Sequence, residues 1–91
     1  PGYYREGHYG IRIENLQYIT PPAPIEGGEI DMMGFECLTW APLARDLIVV
    51  DMLSNAERDW VNAYHARVQD ILSGQLEGDV KAWLEQACAP L

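Results

Sequence analysis

Ninety-one residues at 10.3 kDa allow a single domain with a thin core. An apolar fraction of 48% with three Trp argues for a folded piece rather than a disordered tail. A net charge of −8 excludes the clustered cations that nucleic-acid phosphates or an anionic membrane surface would require of a partner, and no apolar run approaches the roughly 18 residues of a membrane-spanning helix.

The acidity is uneven. Up to Thr20 the charges cancel, through Arg5, Arg12, Glu6 and Glu14, so the whole excess lies beyond it. Cys37 and Cys88 have no C-x-x-C spacing and make no disulfide framework, so reduced thiols in a cytoplasmic protein are expected. Pro1 has no Met before it, and Pro-Gly-Tyr-Tyr reads as the interior of a longer protein.

Taken in chain order, Tyr9 to Thr20 is the first strand. Ile11 and Ile13 alternate with Arg12 and Glu14, then the phase slips near Asn15 to Leu16 and Tyr18, which predicts a bulge or bend. Pro21 and Pro22 end the strand because neither ring can donate to a ladder. Residues 21–34, rich in Pro and Gly, read as a surface loop. Phe35 to Trp40 alternates again and predicts a second short strand. Ser54 and Glu57 fit a capping box that opens a helix, with Trp60, Val61, Tyr64, Val68, Ile71 and Leu72 as its apolar stripe and Gly74 as its stop. A shorter helix is expected from Asp79, with Val80, Trp83, Leu84 and Ala87 inward and Pro90 at its end. The two helices are expected to pair antiparallel through Trp60, Tyr64, Leu72, Trp83 and Leu84. The fold class is α+β.

Few residues here point to chemistry. Glu14 is a carboxylate in an apolar strand, and Arg12 two positions earlier faces the same side. The pair reads either as an exposed ion pair worth less than about 1 kcal/mol or as a working carboxylate with a steadying cation. His8 lies roughly 20 Å of extended chain from Glu14, too far to share a metal with it unless the chain folds sharply at Gly10. His65, mid-helix, has Val61 four positions before it where a second ligand would stand, so packing or surface contact is the expected role. No phosphate-binding Gly-rich loop and no Ser-His-Asp arrangement is present.

As a whole, PGYYREGHYGIRIEN resembles the end of the catalytic domain of aminopeptidase P (Xaa-Pro aminopeptidase) in the pita-bread metallopeptidase family. Pro1, Gly2, Tyr3 and Tyr4 match a Glu-Pro-Gly-hydrophobic-Tyr segment, and Gly10 to Asn15 match its Gly-Ile-Arg-Ile-Glu-Asn strand. Phe35, Glu36, Leu38, Thr39 and Pro42 are similar to the Phe-Glu-x-Leu-Thr-x-x-Pro block of the longer members. Glu57, Trp60, Asn62, Tyr64 and His65 are similar to their Glu-x-x-Trp-x-Asn-x-Tyr-His helix, and Trp83, Leu84 and Pro90 to their closing block. The loop at 21–34 and Val49, where Asp is usual, depart from the pattern.

The resemblance implies a C-terminal strand segment of the catalytic domain over 1–20, a loop and short-strand connection over 21–50 and a two-helix C-terminal extension over 51–91. It implies two divalent metal ions, with Mn expected, held by two Asp, one His and two Glu. Glu14 matches the Glu that bridges both ions, and the other Glu would stand directly ahead of Pro1. Arg12 and Tyr4 would support that carboxylate from beside it. The implied substrate is a peptide with Pro second, cut to release its first residue. The remainder of the catalytic domain and a second copy of the protein are the implied partners, and the fragment alone would be inactive. Two other readings stay open: a pita-bread-like binding module without catalysis, and an unrelated acidic interaction domain.

Overall fold

A computed structural model describes residues 2–91 and shows an α+β chain that divides into two compact units, residues 1–39 and residues 40–91. Pro1, the first residue of the resemblance, lies outside the described residues.

The first unit is two antiparallel hairpins. In one, β1 (Tyr3–Arg5) pairs with β2 (Tyr9–Ile11), with Tyr4 opposite Gly10. The reversal between them places Gly7 at φ 72, a left-handed angle that a Cβ disfavours, and the His8 amide donates to the Arg5 carbonyl at 3.0 Å. In the other, β3 (Gln17–Ile19) pairs with β4 (Phe35–Cys37). The single strand expected over Tyr9–Thr20 is therefore two strands in different sheets. The phase slip near Asn15 marks a complete break, because residues 12–16 leave one ladder before the chain enters the next.

The Pro- and Gly-rich stretch is more ordered than a plain loop. Thr20 and Gly34 exchange bonds, the Thr20 amide to the Gly34 carbonyl and the Gly34 amide to Thr20 Oγ1, and Ala23 and Met32 pair beyond them. The arm reverses at Gly27, φ 73. The prolines sit where no ladder donor is needed: Pro21, Pro22 and Pro24 flank Ala23, whose own amide makes the bridge.

The second unit holds the buried core. Ser54 Oγ accepts from the Glu57 amide and the Glu57 carboxylate accepts from the Ser54 amide, so α1 (Asn55–Leu72) begins with the capping box that the sequence predicts. The Ser54 hydroxyl, which donates to Glu57 Oε2 at 2.7 Å, and the Ser54 amide together hold the Glu57 carboxyl below its ordinary range. Val61, Tyr64, His65 and Val68 of α1 are buried, together with Leu84 of α2 (Gly78–Ala87) and Cys88 just past its end. Burial of Val68 and Leu84, 0% and 1% exposed, contributes about 1.5–3 kcal/mol each.

Three helix details correct the sequence reading. Trp60 and Trp83, at 55% and 58% exposure, stand outside the core, as does Val80, so they do not form a seam between the helices. His65 takes an inner position instead, because its polar atom finds a buried donor. The chain leaves α1 through a tight turn at Ser73–Gln75 rather than on a left-handed Gly74; the positive angle falls at Gly78, φ 54, where α2 starts.

Candidate metal-ligand site

Strand alternation sets the geometry around Glu14. On the β1–β2 hairpin, Tyr3, Arg5, Tyr9 and Ile11 share one face, with the Tyr3 and Tyr9 rings 6.0 Å apart. The opposite face carries Tyr4 and Gly10, and continues to Gly2 and Arg12. Arg12 Nε donates to Glu14 Oε1 at 2.7 Å, and Nη2 bonds the same oxygen. The residue pair that spacing put on one side does meet. Oε2 of Glu14 has no partner among the described residues. Both side chains remain about half exposed, so the pair itself adds little to stability.

Two residues further on, the chain is fixed. The Leu16 amide donates to Thr39 Oγ1 at 3.0 Å and the Leu38 amide to the Leu16 carbonyl at 2.7 Å. Glu14 thus sits on a short irregular segment clamped at both ends, by the β1–β2 ladder before it and the β3–β4 ladder after it. Tyr4 lies with its ring against Gly10, and its hydroxyl stands near Gly2, where the stem of Arg12 also arrives.

As a metal ligand, Glu14 offers a hard oxygen of the kind that Mg²⁺ and Mn²⁺ prefer. It is one donor. Among the described residues no three His, Cys, Asp or Glu side chains gather where a metal could sit. Among the described residues, Glu14 could therefore give a metal no more than a single carboxylate contribution.

The remaining polar residues of the resemblance do other work. Glu36 accepts a hydrogen bond from the Tyr18 hydroxyl across the β3–β4 pair, which raises the Tyr18 phenol above its usual range. His65, fully buried, uses Nε2 to accept from the Leu43 amide at 3.0 Å, and its Nδ1 has no partner among the described residues. Desolvation, helped by the charge of Arg45, depresses its pKa below 6.5. The Tyr64 hydroxyl donates to the Ala41 carbonyl at 2.9 Å and accepts from the Ala41 amide. Asn62 Oδ1 accepts from the Leu91 amide at 2.8 Å. Packing is thus the role of His65, rather than the surface contact that its spacing equally allows.

Arg45 escaped the sequence reading. Its guanidinium bonds the carbonyls of Gln86 and Pro90 at 3.0 and 2.9 Å, a cation on the carbonyl end of α2. Nothing local in its sequence marks it, because both partners lie more than forty positions away. A cleft of about 590 Å³ opens beside it, between Leu43, Asp46, Trp83 and Leu91, and none of Tyr4, Arg12 or Glu14 lines it.

Comparison with known proteins adds the larger frame. Residues 31–91 match the family described as the C-terminal region of peptidase_M24. The whole chain is 38% identical to a probable Xaa-Pro aminopeptidase P of Laccaria bicolor, covering 15% of that protein. It is 37% identical to aminopeptidase P1 of Arabidopsis thaliana, again over its whole length and covering 14% of the relative. A crystal structure of X-prolyl aminopeptidase from Caenorhabditis elegans, described as a cytosolic enzyme with a di-nuclear active site, superimposes with a TM-score of 0.81 at 33% identity. That match takes in the entire chain and 15% of the solved one.

Proposed function

This chain belongs to the peptidase_M24 family, as its match to the family's C-terminal region requires, and from that premise we propose that it is the closing segment of a metal-dependent aminopeptidase that cuts the bond before a Pro in second position. Its two hairpins and two helices are a C-terminal piece of the pita-bread catalytic domain with its helical extension. The observation that carries the reading is the Glu14 carboxylate, half exposed, with one oxygen held by Arg12 and the other unpartnered among the described residues.

In this reading Glu14 would help to hold two divalent cations, with Mn²⁺ the expected metal. When bound, such cations lower the pKa of water and polarise a carbonyl. The residues of this chain hold and orient. Arg12 fixes Oε1 and offsets negative charge that would otherwise accumulate where several carboxylates converge. Tyr4 supports Arg12 from the same face. With a single metal-binding side chain, the segment alone is expected to be inactive.

Partners follow from the surface of the first unit. Ile13, 67% exposed, is one of several uncovered large apolar residues there, with Leu16, Ile19 and Phe35. Such a surface supports the remainder of the catalytic domain as its cover, with a second copy of the protein as a further partner. No helix among the described residues is long and apolar enough to cross a membrane, and a cytoplasmic setting is the proposal closest to the Caenorhabditis elegans enzyme.

The test uses the protein with its upstream sequence. Metal content and cleavage of Xaa-Pro peptides are measured with Glu14 intact and as Glu14→Ala. Both are expected to collapse in the variant. Retention of full metal stoichiometry and turnover would remove Glu14 from the site. A wild-type protein that binds no metal and cleaves nothing would favour a non-catalytic pita-bread module instead.

A further inference from the structure

Two glycines on the Glu14 side of the first hairpin occupy positions where a side chain has no room. A Cβ on Gly10 would lie 2.8 Å from Cδ1 and 3.1 Å from Cε1 of Tyr4. A Cβ on Gly2 would lie 2.8 Å from the Ile11 carbonyl oxygen, 2.9 Å from Cγ of Arg12 and 3.1 Å from the Tyr4 hydroxyl. A left-handed angle is not the reason at Gly10, which lacks the positive φ found at Gly7. Both glycines are there for close approach.

The register explains how the contacts line up. Tyr4 lies opposite Gly10, and Gly2 and Arg12 stand one pleat further along the same face. Tyr4 is mostly solvent-exposed, and its ring lies over the bare backbone of Gly10. Laid down there, the phenol carries its hydroxyl to Gly2, the point that the Arg12 stem also reaches. From that stem the guanidinium extends to Glu14 Oε1.

We propose that Gly10 is a positioning residue: by lacking a side chain it seats the Tyr4 ring, and the seated phenol walls in the Arg12 stem so that its guanidinium holds the Glu14 carboxylate in one orientation. The proposal rests on the reading of Glu14 as a metal ligand. It adds a residue that touches neither metal nor substrate, and a route, Gly10 to Tyr4 to Arg12 to Glu14, along which a small displacement travels. The β1–β2 ladder is backbone pairing that needs no bare Cα at Gly10, so Gly10→Ala should unseat the ring and leave the hairpin intact. Arg12 then gains freedom, and a carboxylate misplaced by a fraction of an ångström loses catalytic efficiency out of proportion to any loss of stability.

A double-mutant cycle in the longer protein tests this. Gly10→Ala is expected to lower kcat by on the order of tenfold, with bound metal per chain and melting temperature near those of the wild type. In a Tyr4→Ala background, where no ring remains to be displaced, adding Gly10→Ala is expected to change kcat by less than about twofold. Two results overturn the proposal: a silent Gly10→Ala in an active enzyme, or a loss that recurs in full when Tyr4 is already Ala. If Gly10→Ala lowers the melting temperature equally in both backgrounds, Gly10 serves the strand itself and the route through Tyr4 is wrong. A wild-type protein without Xaa-Pro cleavage would instead strike at the functional reading on which the proposal stands.

Discussion

The two units of this chain divide labour in opposite directions. Residues 2–39 contain every residue proposed to serve the metal site and not one buried side chain, whereas residues 40–91 contain all the buried side chains and none of the site. In the first unit the polar groups are satisfied along two short ladders, but the apolar side chains of Ile13, Leu16, Ile19 and Phe35 find no cover. In the second, apolar burial comes with buried side chains that bond the backbone, although Arg45 Nε and His65 Nδ1 find no partner among the described residues. Tyr64 and His65, both in the core, hold the backbone of Ala41 and Leu43. A unit built like the first depends on what lies against it; a unit built like the second carries its own stability.

That contrast predicts a large asymmetry in mutational cost. Leu84→Ala, in the second unit, should destabilise the chain by about 2–5 kcal/mol through lost burial and a residual cavity, read from urea unfolding. Ile13→Ala in the first should cost less than about 0.5 kcal/mol. Equal costs would mean that the first unit is covered in solution by something equivalent to a core, and sedimentation would then show a second copy as the cover.

Tyr64→Phe probes the polar half of the second unit. It removes the hydroxyl that serves both the amide and the carbonyl of Ala41. The ring keeps its stack with Trp60, 5.6 Å away and nearly parallel. The expected loss is about 1 kcal/mol, and a loss close to that of Leu84→Ala would show that the stack needs the hydroxyl to hold its place.

Acid should separate the units further. His65 has its folded-state pKa pressed below 6.5 by burial and by Arg45. Above pH 6.5 both folded and unfolded forms carry it neutral, and its contribution is complete. As pH falls below 6.5 the unfolded chain takes up a proton that the folded chain resists, so stability is lost progressively until the folded-state pKa is passed. Protonation also places an N–H on Nε2, opposed to the Leu43 amide that it now accepts. Urea midpoints at pH 7.5 and 5.5 should differ in the wild type and draw together in His65→Gln; an unchanged difference would assign the acid response to other groups.

The helical half was readable from local signals wherever the signal was local. The Ser54–Glu57 capping box and the Val61, Tyr64, Val68 stripe are patterns within a few turns, and the structure has them. Trp60 and Trp83 mislead because size and hydrophobicity suggest burial, while the thin core is filled by Val61, Tyr64, His65, Val68, Leu84 and Cys88 and leaves both indoles at the surface. The Tyr9–Thr20 strand was misjudged for a different reason. Alternation detects extended chain but says nothing of which partner each half pairs with, and β2 and β3 join different hairpins. Of the proposed site, the Arg12–Glu14 pair was visible in a two-residue spacing. The seating of Tyr4 on Gly10 was not, because it depends on a register across the hairpin that no single stretch of sequence displays.

The expected effect on stability at Arg12 is also small, and this substitution is the most discriminating. In the isolated chain Arg12→Leu removes one half-exposed ion pair, so unfolding should shift by less than about 1 kcal/mol. In the longer protein the same substitution should cost much of the turnover while part of the metal stays bound, because the carboxylate remains but loses the cation that orients Oε1. The two measurements separate a surface ion pair from a working one. If turnover survives as well as stability does, the guanidinium is only solvated surface; if turnover falls while stability holds, the first unit spends its exposed charges on the site rather than on the fold, which is the asymmetry that the buried and unburied halves of this chain already display.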